Sequence, residues 1–340
     1  MSLQKLIDKG NRFLGTNFPI ICGAMTWVSN HKLVSSISNN GCFGVIASGS
    51  MPPDILTDEI KLTQNLTKQN FGVNLITMHP KLEQMINVCI KSGVQYMIFA
   101  GSIAKIPRDL IARIKESKIK IMTFAPSLII ANGLIRMGFD AIILEGMEAG
   151  GHIGPVSTSV LAQEILPNIS DEVPVFVGGG IGHGSMIGSL LEMGASGVQL
   201  GSKFVCSYDS PAHPNFKKKF IESSSRDAIV SIQVDADFPV IPVRSIKNKA
   251  YNDFIKYQYE IINQYQSHQI SKEEGQLKIE HYWAGALRKA VIDGDIENGS
   301  LMAGQSVGMV KKEQSTKEII DELIHETKEF FKKHSFEIFD

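Results

Sequence analysis

Eight short apolar runs rich in Ile, Val and Phe, most of them followed by a longer stretch with helical spacing, constrain this 340-residue chain more than any other feature. The runs fall at residues 19–23, 43–47, 72–75, 96–100, 119–124, 141–144, 174–177 and 197–200. Residues 80–92, 107–117 and 127–137 carry the clearest helical patterns between them. Repeated strand–helix units imply parallel strands, because a strand returns to its neighbour in the same direction only through a crossover. Eight units within about 200 residues suit a closed α/β fold, the parallel (β/α)8 TIM barrel. A doubly wound open sheet gives similar local patterns. The barrel is the expectation.

From about residue 214 to 281 the pattern changes to charged helical sequence around an irregular stretch at 238–243. This predicts an inserted, mainly helical substrate or lid domain at residues 214–284, interrupting a barrel made of 1–213 and 285–340. A closing helix begins at Ser315, where Ser315 and Glu318 have capping-box spacing, and its apolar stripe suits docking on the body. With 43% hydrophobic and 20% charged residues the chain can bury a large core. Its 34 basic and 35 acidic residues leave a net charge of −1, so no global field favours nucleic acid or an anionic membrane. No run reaches transmembrane length and the first 15 residues lack a signal peptide's apolar block, so a cytoplasmic location is the default expectation. Cys22, Cys42, Cys89 and Cys206 are scattered through mostly apolar runs without CxxC spacing, which predicts buried thiols rather than disulfides or zinc.

Three constellations could carry chemistry. The first is VGGGIGHG at 177–184, ending the seventh strand ahead of a helix, with GVQLGS at 197–202 ending the eighth. Bare glycine amides and a helix N-terminus suit a phosphate, and barrels often hold phosphate after strands seven and eight. Tight turns alone would explain either segment; both at consecutive strand ends favour the phosphate site. No GxGxxG register fits Gly178 to Gly188, which disfavours a Rossmann site. The second is EGMEAGGHIG at 145–154, where glycines flank His152 directly after the sixth strand. A titratable ring at a barrel mouth is placed for general acid–base work. Glu145 and Glu148 either orient that imidazole or serve the loops. The third is a set of polar or small residues at other strand ends: Gly23, Ala24 and Met25, then Gly49, Asn74, and Gly101. Asn74 within an apolar run needs a hydrogen bond, from a heteroaromatic edge or a neighbouring backbone group. The remaining histidines lack HxxxH or HExxH spacing, so no catalytic transition metal is expected.

Together, residues 19–25, 72–74, 145–154, 179–181 and 197–202 resemble the nitronate monooxygenase (2-nitropropane dioxygenase) family. More narrowly, 145–154, AHPNFK at 212–217, RSIKN at 244–248 and residues 285–310 are similar to its flavin-dependent enoyl-acyl-carrier-protein reductase branch, FabK. The resemblance implies an FMN-binding barrel with NADH or NADPH as reductant, and admits a monovalent cation. It implies FMN contacts at Gly23, Ala24, Met25, Asn74, Gly151, Gly179, Gly180, Gly201 and Ser202, closure by Met302 to Gln305, and His152 as the catalytic histidine. This chain has Cys22-Gly23-Ala24-Met25 where the family has Gln-Gly-Gly-Met, Ala47-Ser48-Gly49-Ser50 where it often has Gly-Gly-Gly-Asn, and Ser202 where threonine is usual.

Reduction of a trans-2-enoyl thioester is therefore the leading expectation, nitronate oxidation with oxygen the alternative, and a non-redox isomerase or lyase a distant one. The partner is a small-molecule or acyl-carrier-protein-bound substrate, and a homodimer is one assembly the reading admits. Lys217 to Lys219, Arg244, Lys247 and Lys249 are either a landing patch for an acidic carrier protein or a solvated basic face.

Overall fold

The computed structural model describes residues 2–103 and 106–333. The strands are β1 (Ile20–Cys22), β2 (Phe43–Ala47), β3 (Phe71–Ile76), β4 (Tyr96–Ala100), β5 (Lys120–Phe124), β6 (Ala141–Glu145), β7 (Gly151–His152), β8 (Val175–Gly178) and β9 (Gly197–Leu200). All but β7 form a closed parallel barrel, in which β9 pairs back to β1 through Ile20 opposite Val198 and Ile21 opposite Gln199. These are the eight strands expected from the apolar runs, each end within one residue of its predicted place.

Alternation within the strands sorts the core into two parts. Ile21, Phe43, Val45, Tyr96, Ile98, Met122, Ile143 and Phe176 pack inside the barrel, while residues of the other parity, such as Ile20, Val73, Phe99 and Ile142, face the surrounding helices. The floor is closed by the helix Leu3–Leu14, whose last residue is fully buried in the inner cluster. Its terminal carbonyls need donors. The Phe13 carbonyl accepts from the Tyr96 hydroxyl and from the Lys120 ammonium, both at 2.6 Å, and the ammonium lies 4.8 Å from the Phe13 ring centre.

Beyond β9, the helix Pro214–Glu222 sinks Phe216 and Phe220 into the main core. There follow β10 (Ala228–Val230), β11 (Val243–Ile246) and the helices Lys249–Gln266 and Lys272–Val291. A third cluster of Phe238, Val243, Phe254, Ile261, Ile279 and Trp283 lies between them. β10, β11 and β7 form an antiparallel sheet, so the segment expected to be mainly helical also carries strands, and one of them pairs with the barrel mouth.

The closing helix Thr316–Lys333 starts as its capping box predicts, with Glu318 accepting from the Ser315 amide at 2.7 Å and Ser315 Oγ accepting from the Glu318 amide at 3.2 Å. It packs on the helix Gly184–Glu192, where a Cβ at Gly188 would stand 2.3 Å from the Phe330 ring. All four cysteines are buried and unbridged. Burial pushes the thiols of Cys42, Cys89 and Cys206 up to about 12 and that of Cys22 higher.

The landing patch needs correction. Lys217 is buried, donating to the Ser207 carbonyl at 2.7 Å and facing Glu313 at 3.5 Å. Arg244 is buried as well, and Lys249 is exposed but paired with Asp253 at 2.8 Å. A charge in a sequence announces neither its burial nor its partners, and two of these six side chains cannot meet another protein.

Candidate active site at the barrel mouth

In a parallel barrel every strand ends on the same rim, so the loops after the strands converge there. Gly23 follows β1, Gly179 and Gly180 follow β8, and Gly201 and Ser202 follow β9, while Gly151 and His152 constitute β7. The Gly23 amide bonds to the Leu200 carbonyl at 3.0 Å, tying the first strand end to the ninth. Met25 reaches over Gly201, where a Cβ would meet its sulfur at 3.5 Å, and Met302 lies likewise 3.7 Å from a Cβ at Gly151. The Gly304 amide donates to Ser202 Oγ at 3.0 Å, and the Gln305 amide to the Glu148 carbonyl at 2.9 Å. Residues 302–305 are thus fastened over the loops after β6 and β9. Ala24 packs against the inner cluster below.

Asn74, Gly49 and Gly101 sit on the opposite arc of the rim. Asn74 is buried and donates to the Ile98 carbonyl at 3.2 Å, so a backbone group supplies one of the bonds its position demands. A Cβ at Gly49 would stand 2.9 Å from Ile76, and one at Gly101 would stand 2.5 Å from Thr77 Oγ1. Close packing between neighbouring strand ends is reason enough for both glycines.

The rim suits a flat phosphate-bearing group. Gly151, Gly179 and Gly180 hold φ of 79°, 101° and 71°, a region that side chains rarely tolerate. At Gly151 and Gly201 a Cβ would meet only a methionine side chain at ordinary contact distance, so their backbones are open to close approach. Ser202 Oγ accepts one bond and keeps its own hydrogen to donate. Two enclosed polar atoms near this rim, the Thr77 hydroxyl and the Trp27 indole N–H, have no partner among the described residues. Trp27 also holds a φ of 68°, uncommon for a bulky side chain.

One expected contributor is otherwise engaged. The N-terminus of the helix Gly184–Glu192, offered to phosphate by the sequence, is filled from within the chain. Glu326 accepts from the Gly184 amide at 2.7 Å and from His183 Nε2 at 3.1 Å, while His183 Nδ1 accepts from the Ser185 amide at 3.1 Å. A phosphate at this rim would meet the loops after β8 and β9, not that helix end.

His152 is exposed at the mouth, with its backbone opposite Val243 of β11. The two neighbouring carboxylates divide their duties. Glu148 Oε2 accepts from the Thr158 amide at 2.9 Å and from its hydroxyl at 2.8 Å, which caps the helix Thr158–Ile169. Glu145 has the inward parity of β6 and accepts from Gln199 Nε2 at 3.3 Å. It keeps a small solvent-reached face, yet protein surrounds it deeply enough that burial pushes its carboxyl up to about 7, against the opposing influence of His152 and the Gln199 bond. Gln199 itself fills the space beside Gly23 and Gly178, where Cβ atoms would stand 3.0 and 3.3 Å from it. It was open to the same inference as Asn74, a polar residue inside an apolar strand.

A family model described as nitronate monooxygenase matches residues 9–326. A (3aS,4S,5R,7aS)-5-hydroxy-7a-methyl-1-oxo-octahydro-1H-indene-4-carboxyl-CoA dehydrogenase of Mycobacterium tuberculosis is 26% identical over 92% of this chain and 93% of its own. A probable nitronate monooxygenase of Staphylococcus aureus is 28% identical over 81% of this chain and 90% of its own. The solved structure of FabK from Thermotoga maritima superposes with a TM-score of 0.84 at 32% identity, over 95% of this chain and 96% of that one.

Proposed function

Because this chain belongs to the nitronate monooxygenase family, whose members are flavin-dependent oxidoreductases, we propose that it uses FMN to reduce trans-2-enoyl thioesters, on acyl carrier protein, with NADH or NADPH. The observation that carries this reading is the likeness to Thermotoga FabK over nearly the whole of both chains. The relative named as a carboxyl-CoA dehydrogenase supports a thioester in the same place.

FMN bound at this rim would supply a hydride acceptor for the nicotinamide and a hydride donor for the β-carbon of the enoyl group. The protein's part is to hold and to protonate. Ser202, with the amides around Gly179, Gly180 and Gly201, would hold the phosphate. Gly23, Ala24, Met25, Asn74 and Gly151 would flank the ring system, and Met302 to Gln305 would keep water from it. His152 would donate a hydrogen bond to the thioester carbonyl or a proton to the α-carbon.

The family model and the staphylococcal relatives favour a second reading, oxidation of an alkyl nitronate with oxygen, in which His152 would stand beside the nitronate instead. Two assays separate them: anaerobic reduction of the FMN-loaded protein by NADH or NADPH followed by mixing with crotonyl thioester, and mixing of the oxidised FMN-loaded protein with an alkyl nitronate in the presence of oxygen. The thioester is expected to reoxidise the flavin rapidly. Turnover with the nitronate alone would overturn the first reading. In either case His152→Ala should retain flavin and slow the step between substrate and flavin about 10²-fold or more, the scale of a lost general acid–base group.

A further inference from the structure

Arg244 is 3% exposed, and its charge faces backbone rather than solvent. Nε and Nη2 both donate to the Met147 carbonyl, at 3.0 and 2.9 Å, and Nη1 donates to the Ala228 carbonyl at 2.6 Å. The backbone of the same residue lies opposite Gly151 in the β11–β7 pairing, and the Ile153 amide bonds to the Pro242 carbonyl at 3.0 Å. The arc from Met147 to His152 is therefore gripped at its start by the Arg244 side chain and at its end by the Arg244 strand.

Burying a cation against two carbonyls, with the Glu148 carboxylate as the nearby opposing charge, is a costly way to fasten a loop, and apolar packing of similar volume often stabilises as well or better. What a guanidinium adds is a rigid planar fork, which fixes direction as well as distance. We propose that Arg244 is a positioning residue for the reaction, holding the 147–152 arc so that the His152 ring meets the bound substrate in a single orientation. This inference rests on the role given to His152 above. Lysine at 244 would keep the charge and lose the fork.

The test uses the FMN-loaded full chain with Arg244→Lys, His152→Ala and the double variant, following the step in which substrate meets flavin: reoxidation of the reduced flavin by the thioester or, in the second reading, reduction of the oxidised flavin by the nitronate. Arg244→Lys should slow that step about 10²-fold, the scale of an ångström-sized misplacement, while the flavin's other half-reaction, with the nicotinamide or with oxygen, stays within about twofold. Added to His152→Ala it should slow that step no further, because both changes remove one function. Amide exchange at 147–153 should speed about tenfold or more in Arg244→Lys, while the inner barrel strands exchange as before. Additive losses in the double variant would overturn the proposal, and so would unchanged exchange in the arc. A silent His152→Ala would instead overturn the histidine's assigned role, and the exchange measurement would still decide whether Arg244 fixes the arc.

Discussion

Glu145 gives the mouth of the barrel a pH signature. Its folded carboxyl titrates at about 7, against an ordinary value of 4.5, because burial disfavours its charge. Between those values the folded chain holds a proton that the unfolded chain has released. By linkage, the stability contributed through this group falls as pH rises from 4.5 to 7 and is level above. Glu145→Gln cannot charge. Its stability should be flatter across that window, and relative to the parent it should gain on the order of 1–2 kcal/mol between pH 4.5 and pH 8, discounted for the carboxyl's remaining access to water. Thermal unfolding across the pH range measures this, and parallel profiles for the two proteins would show that the carboxyl titrates normally.

Among the elements, the helix Gly184–Glu192 makes a sharp prediction, because its N-terminus is held by a carboxylate 142 residues away in sequence. Glu326→Ala should destabilise the fold by about 1–2 kcal/mol in denaturant titrations, the usual range for a lost cap and a charge at a helix N-terminus. FMN affinity should stay close to that of the parent. A large rise in FMN dissociation would return that helix end to the phosphate site. The same contact shows where sequence reasoning stops. Strand ends were legible to a residue, because each strand is a short, mainly apolar run bounded by glycines or polar residues, and the capping box at Ser315 and Glu318 was legible because both partners lie within one turn. β7, β10 and β11 were not. They have two to four residues each, and pairing between His152 and Val243, far apart in sequence, leaves no local periodicity. The glycines and His152 could be nominated because they follow strand ends. Arg244 could not be assigned its place, since its partners are backbone carbonyls and any residue type supplies those.

Across the whole molecule, the core divides between a barrel interior plugged from below by the first helix, the shell around it, and the smaller cluster between the two long helices. Cys22 ends β1, Cys42 precedes β2, Cys89 lies in the helix Leu82–Lys91, and Cys206 follows the short helix Ser202–Val205. Only the thiolate attacks an alkylating reagent, and these thiols are both enclosed and held protonated well beyond neutral pH. The native protein should therefore ignore iodoacetamide at pH 8 for as long as it stays folded, and mass spectrometry should find modified chains at the rate of opening rather than the rate of the chemistry. Fast alkylation at one position with the others untouched would mark a part of the shell that opens on its own. The four sulfurs thus act as built-in clocks, each timing how often its own region of the fold lets solvent in.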